Sequence, residues 1–254
     1  MRLRQICFVA DDLESALSEL TFIFNTEICF RDPGVGHFGL SNGLLEVGGD
    51  FIEVVSPKEE DTPAGRFLEK MGGDSSYMLI FQCQNALEYR EKAKELKIRE
   101  IWKSDLENGV HATHFHPKDI GGVIMSIDSM STPNWQDRYS YWQWSGNDWM
   151  NNEHNNQYLI KGVTLNCLNP KSLSQKWSEF LNLPVSQKSK LYELEGNGFN
   201  LVFVEDSAKG FDYMAELDIH IFNDDYKNKL LKHYVIKDII ICGTKININY
   251  YAVI

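Results

Sequence analysis

The sequence predicts an α+β protein assembled from four βαβββ modules, grouped two and two. Three observations lead there. Gly48-Gly49-Asp50-Phe51-Ile52-Glu53-Val54-Val55 and Gly121-Gly122-Val123-Ile124-Met125-Ser126-Ile127-Asp128 both open on a glycine pair and run into an alternating apolar strand. Each closes a segment that begins with an apolar strand and a polar, helix-initiating step: Gln5-Ile6-Cys7-Phe8-Val9-Ala10-Asp11-Asp12 in one, Tyr77-Met78-Leu79-Ile80-Phe81-Gln82-Cys83-Gln84-Asn85 in the other. Gln5 stands 48 positions before Glu53 and Tyr77 stands 49 before Ser126, so one unit of about fifty residues occurs twice in the first half. The third observation is that the strand–helix–strand order resumes after residue 157.

In the first module a strand is expected over 3–10 and a helix over 13–24. Asp11 or Asp12 caps that helix, and Leu13, Leu17, Leu20 and Phe24 recur on one face. Strands follow over 28–31, 43–47 and 51–55, with turns at Asp32-Pro33-Gly34 and Gly48-Gly49-Asp50. Asp61-Thr62-Pro63 starts a short connecting helix through Arg66, Phe67 and Leu68, and Gly72-Gly73 ends it. The second module repeats the order: strand 77–83, helix 87–96, then strands 100–103, 111–116 and 123–128.

Residues 129–156 change character. Trp135, Trp142, Trp144 and Trp149 stand among Asn, Ser, Asp and Gly with almost no aliphatic residues, which predicts a connector without regular secondary structure, anchored by its tryptophans. A third module follows, with strand 159–167, the Asn169-Pro170 cap, a helix carrying Leu173, Trp177, Phe180 and Leu181, and strands 192–195 and 199–204 around Gly196-Asn197-Gly198. A fourth, abbreviated module has strand 216–222, helix 226–233 and strands 238–242 and 245–251. The domains expected are therefore 1–128, with modules at 1–57 and 74–128, and a smaller, divergent 157–254, joined by 129–156.

Composition narrows the function classes. With 254 residues the chain is long enough for one large core or two ordinary ones. A net charge of −11 argues against a nucleic-acid partner, which needs a basic surface. Apolar runs are too short to cross a bilayer, and Asp11 and Asp12 break the first one too early for a signal peptide. Cys7, Cys29, Cys83, Cys167 and Cys242 are scattered and odd in number, the pattern of reduced, buried thiols in the cytoplasm.

Several side chains carry chemical promise. Glu53 sits with Phe51 and Val55 on an otherwise apolar strand face, as a ligand or base, or as the partner of Arg66 or another cation. His114 and His116 alternate along one expected strand, so both imidazoles face one side. His111 points to the other side and His37 lies in a loop, so both read as peripheral. Arg31 and Arg66 either clamp an anionic group in a bidentate manner or pair with the many acidic residues.

Paired βαβββ modules of this length resemble the vicinal oxygen chelate superfamily of glyoxalase I, bleomycin-binding proteins and extradiol dioxygenases. Over 1–128 the chain is similar to bacterial glyoxalase-like proteins. The match rests on Arg31-Asp32-Pro33-Gly34, Phe51-Ile52-Glu53-Val54-Val55-Ser56-Pro57, Ala64-Gly65-Arg66, Gly72-Gly73-Asp74 and His114-Phe115-His116-Pro117-Lys118-Asp119-Ile120-Gly121-Gly122. The resemblance implies cup-shaped domains and a divalent metal (Zn, Fe, Mn, Ni or Mg) held by residues on the first and last strand of each module. Gln5 and Glu53 fill those positions in the first module; Tyr77 and Ser126 fill them in the second and are not routine ligands. The resemblance implies Gln5 and Glu53 as metal residues, and strand alternation adds His114 and His116 as replacements for the missing pair; Glu53 and His116 are then the catalytic candidates, and Arg31, Arg66, Tyr77 and Ser126 the substrate-binding ones. The activity implied is a metal-dependent lyase, isomerase or dioxygenase acting on a small polar or anionic metabolite. The rival reading is a metal-free small-molecule binding protein. In either, the partner is a small molecule rather than nucleic acid or membrane, with a homodimer as the candidate assembly.

Overall fold

The computed structural model describes residues 1–146, 148–151, 157–223, 228, 230 and 239–250. Among these described residues the strands form two mixed sheets, one of eight strands and one of seven. The first-module elements are β1 (Arg2–Val9), α1 (Leu13–Phe24), β2 (Ile28–Phe30), β3 (Leu40–Val47) and β4 (Asp50–Pro57). After α2 (Pro63–Met71) the order repeats as β5 (Ser75–Cys83), α3 (Leu87–Glu95), β6 (Glu100–Asp105), β7 (His111–Phe115), α4 (Pro117–Ile120) and β8 (Ile124–Ser129). The later half supplies β9 (Tyr158–Cys167), α5 (Pro170–Leu181), β10 (Val185–Lys188), β11 (Leu191–Glu195), β12 (Asn200–Glu205), β13 (Tyr213–Ile221), β14 (Ile239–Ile241) and β15 (Thr244–Tyr250).

By compactness the chain divides into two units. One comprises Met1–Arg4, Met78–Tyr141 and Lys161–Glu216; the other comprises Gln5–Tyr77, Trp142–Ile160 and Leu217–Ile254. Within the second of these the strands run in the order β2-β3-β4-β1, with β1 and β4 parallel. Within the first, β5-β8-β7-β6 repeats that pattern, with β5 and β8 parallel, and β10-β11-β12-β9 repeats it again. A βαβββ unit gives this arrangement because the helix carries the chain across the sheet, so first and last strands lie parallel, while tight turns leave the others antiparallel.

The local signals explain the boundaries. Asp12 caps α1 through the Ser15 N–H, Thr62 caps α2 through Gly65 and Asn169 caps α5 through Ser172, and Pro63 and Pro170 each open a helix where no N–H is needed. Asn25, Gly72 and Asn182 end the three helices in the left-handed region. Gly121 and Gly122 both have positive φ, and a Cβ on either would strike Leu173 or Leu165, so this pair is fixed by backbone and packing together.

Three expectations are corrected. Strand β7 ends at Phe115 rather than at residue 116, because His116 turns to cap α4. A 3₁₀ turn spans Pro33–Phe38, and β3 begins earlier than expected, at Leu40. Strand β10 was not expected from sequence: its four residues are all exposed, so no apolar alternation marks it. The connector has only the 3₁₀ turns Gln143–Ser145 and Trp149–Asn151 among its described residues. The helix expected over 226–233 lies outside the described residues except for 228 and 230, as do Asp238 and Tyr251 of the last strands.

The two units have separate cores. In one, α1 sets Leu17 against Gly43, where a Cβ would collide with it, and Phe24 meets Tyr158 edge-on. In the other, α5 brings Phe180 onto Phe115 and Tyr89, and Trp177 onto Phe203. There Arg90 ties α3 to the sheet through Asp105, the Thr113 hydroxyl and the Ala112 carbonyl.

Candidate functional site

The inner face of the first module lies opposite α1. The register pairs Gln5 with Phe51 and Cys7 with Glu53 on β1 and β4, and Leu44 with Glu53 on β3 and β4. Directly paired residues share a face, so Gln5, Cys7, Glu53 and Asn42 converge. All four are buried.

Their hydrogen bonds form one closed chain. Trp142 Nε1 donates to Gln5 Oε1 at 2.8 Å, and Gln5 Nε2 donates to Glu53 Oε2 at 2.9 Å. Asn42 Nδ2 donates to the other carboxylate oxygen at 2.7 Å, and Asn42 Oδ1 accepts the Asp32 N–H at 2.8 Å. An indole N–H can only donate, which fixes the Gln5 amide with its oxygen toward Trp142 and its nitrogen toward Glu53. Burial raises the Glu53 pKa, and hydrogen bonds from Asn42, Cys7 and Gln5 oppose that shift. Burial likewise pushes the Cys7 thiol up, with Glu53 adding to the effect.

This donor set does not fit a bound divalent ion. Gln5 turns its non-ligating nitrogen toward the carboxylate, and both Glu53 oxygens already accept from amides. Among the described residues, no three His, Cys, Asp or Glu side chains gather as a metal would require. Trp142 is fully buried, and Trp149 packs edge-on against Phe51 at 5.0 Å between ring centres, so connector tryptophans fill the space beside this face. Nearby, Phe30, Asp32, Pro33, Gly34, Gln143, Trp144, Gly146 and Asp148 line an open cavity of about 490 Å³.

The inner face of the second module is built differently. On β5 and β8 the register pairs Met78 with Ile124, Ile80 with Ser126 and Gln82 with Asp128. Met78, not Tyr77, therefore stands where Gln5 stands in the first module. The sequence match was one residue out of register, and in a strand one residue is the difference between two faces. Tyr77 packs against Phe67 of α2, and burial raises its hydroxyl pKa. Across β7, His114 lies opposite Ser126, and its ring stacks on Trp102 with centres 4.4 Å apart. The Ser126 hydroxyl lies 2.5 Å from Asp128 Oδ1. Burial alone lowers the His114 pKa to about 3, leaving a neutral imidazole.

The remaining expected site residues have local partners. His116 Nδ1 accepts the Lys118 N–H as the cap of α4, outside the strand that holds His114. Arg31 pairs with Glu14 at 2.9 Å and donates to the Asn42 carbonyl; exposed Arg66 donates to the Asp61 carbonyl. His111, expected to be peripheral, pairs with Asp105. Sequence reasoning passed over Asn42, Gln82, Asp128 and Trp142 as site residues. Asn42 and Asp128 had a usable signal, since each lies at an even strand spacing from, or directly opposite a neighbour of, a residue already singled out. The five cysteines are free, and burial lifts Cys29, Cys83, Cys167 and Cys242 to about 12, which removes them as nucleophiles.

No protein-family model matches the chain. Among curated proteins it is 23% identical over 132 residues to the ethylmalonyl-CoA/methylmalonyl-CoA epimerase of Cereibacter sphaeroides, covering 51% of this chain and 98% of that one. It is 25% identical over 130 residues to the human mitochondrial methylmalonyl-CoA epimerase, covering 50% and 73%. Among solved structures, a mutant of 4-hydroxymandelate synthase from Streptomyces coelicolor aligns with a TM-score of 0.68 over 91% of this chain and 74% of that one. At 12% identity that likeness shows the fold, and it extends over both halves of the chain. Paired βαβββ modules with this topology define a vicinal oxygen chelate fold. The chain therefore shares this fold over both halves, and over one half it is similar in sequence to curated epimerases.

Proposed function

We propose that this protein is a metal-independent small-molecule binding member of the vicinal oxygen chelate superfamily, with its ligand facing the second module. One observation carries the reading: the first-module positions from which a metal would be held, Gln5 and Glu53, are closed into a satisfied network by Trp142 and Asn42. A buried polar network with every member paired is a structural element, and opening it to admit an ion would strand several buried groups. In this reading His114 and Ser126 face the ligand, Gln5 and Glu53 hold the module together, and His116, Arg31 and Arg66 serve local structure.

The second reading is catalytic, and the half-chain likeness to two epimerases favours it. Glu53 would then be a ligand or base, and the network would rearrange on metal binding. Elemental analysis of the purified protein, before and after incubation with Zn, Fe, Mn, Ni and Mg salts, separates the two. Metal well below one equivalent, unchanged in Glu53→Gln, is expected. One tightly held equivalent that Glu53→Gln abolishes would overturn the binding reading.

A further inference from the structure

Gln82 lies in β5 and is fully buried, and among the described residues neither its amide nitrogen nor its amide oxygen has a hydrogen-bond partner. Native proteins rarely leave a buried polar group in that state, and each instance needs a cause. A leucine would fill nearly the same space without the cost of desolvating an amide.

The surroundings point to a ligand. The register sets Gln82 beside Asp128 and Ile80 beside Ser126, with His114 opposite Ser126, so all five side chains belong to one sheet face. The His114 imidazole has no hydrogen bond among the described residues and rests on Trp102, which supplies a flat apolar wall. The two imidazole nitrogens add hydrogen-bonding capacity to the unmet pair on Gln82. These groups sit on one face of four consecutive strands, β5-β8-β7-β6, whose register fixes their relative positions as a recognition site requires.

The geometry of a primary amide restricts what can satisfy it. Its N–H and C=O lie side by side in one plane, so a single ligand group meets both at once when it is planar and carries its own adjacent acceptor and donor. A ketone or a carboxylate can accept but cannot return the second bond. A carboxamide or a lactam returns both.

We propose that Gln82 recognises a carboxamide or lactam group on a small planar ligand, with His114 and Trp102 forming the wall of the same subsite. This deepens the binding reading above and rests on it for where the ligand lies.

The test uses the full chain and four fragments: benzamide and 2-pyrrolidinone as probes, acetophenone and benzoate as controls, with affinity read by ligand-observed NMR. The two amides should bind saturably and about tenfold more tightly than the controls, as expected for one recovered buried hydrogen-bond pair. Gln82→Leu should abolish that preference while its melting temperature stays at or above the parent's. Should that variant fail to fold, Gln82→Met is read in the same way. Equal binding of amides and controls would overturn the proposal, as would a preference that survives in the variant. So would a crystal structure in saturating benzamide with water still bridging both Gln82 atoms. Metal content measured on the same preparation keeps the two claims apart: one equivalent of metal sinks the binding reading, whereas the absence of an amide preference in the parent protein, or its survival in the variant, sinks only the role of Gln82.

Discussion

The inner faces of the first two modules come from the same repeat and have opposite hydrogen-bond economies. In the first, an indole, two carboxamides and a carboxylate satisfy one another end to end. In the second, among the described residues, a buried carboxamide has neither atom paired, and the imidazole of His114, two strands across the same face, has no hydrogen bond. A repeated backbone thus places side chains at equivalent positions but does not give them equivalent work. Saturated polar groups hold a fold together, and unsaturated ones are available to read something else.

The most direct way to break this comparison is to remove Trp142. Its indole is fully buried and is the sole donor given to Gln5 Oε1 in this network. Trp142→Ala should cost about 3–5 kcal/mol in urea unfolding, through the lost core volume and the stranded Gln5 oxygen. Trp102→Ala, on the half-buried wall of the other face, should cost clearly less. Equal losses at the two positions would mean that the first network contributes nothing beyond ordinary packing.

A change at Glu53 sharpens the same contrast. Both of its oxygens accept from amide nitrogens, so Glu53→Gln sets a new N–H₂ group against one of those donors and should cost about 1–3 kcal/mol. The variant should also alter the pH dependence in a definite direction. Because burial raises the Glu53 pKa, the native state holds this proton more tightly than the unfolded chain does. Stability should therefore fall as pH rises from about 4.3, the unfolded value, through the folded pKa. Glu53→Gln should remove that slope. An unchanged slope would show that Glu53 titrates as an exposed carboxylate and that the network opens in solution.

The module framework is legible in the sequence, whereas the contrast between the two faces is not. The glycine pairs Gly48-Gly49 and Gly121-Gly122 marked both module ends, because a strand entered through positive φ tolerates few other residues. The caps Asp12, Thr62 and Asn169 marked helix starts for equally local reasons. Glu53 stood out as a carboxylate on an apolar face. Its partners did not: Asn42 lies 11 positions away and Trp142 lies 89 away, and no spacing rule connects residues brought together only by tertiary packing. The Tyr77 assignment shows the sharper limit. Repeat lengths of 48 and 49 look equivalent on paper, yet strand alternation turns that one residue into the choice between Met78 inside and Tyr77 against α2.

The smallest expected effect tests the second face through His114. Burial lowers its pKa to about 3, against about 6.5 in an unfolded chain. Between those values the unfolded state binds more protons than the native state, so stability should fall as pH drops from about 6.5 toward 3. This is the reverse of the Glu53 trend, and single variants separate the two. His114→Phe retains a flat ring against Trp102 and cannot take up a proton, so its melting temperature should decline less than the parent's between pH 6.5 and 4. The difference should be modest, because His114 is only half-buried and water screens part of the penalty. Parallel curves for parent and variant would mean that the imidazole is solvated or paired in solution. The second face would then be as well satisfied as the first, and the case for a ligand there would lose one of its two unmet groups.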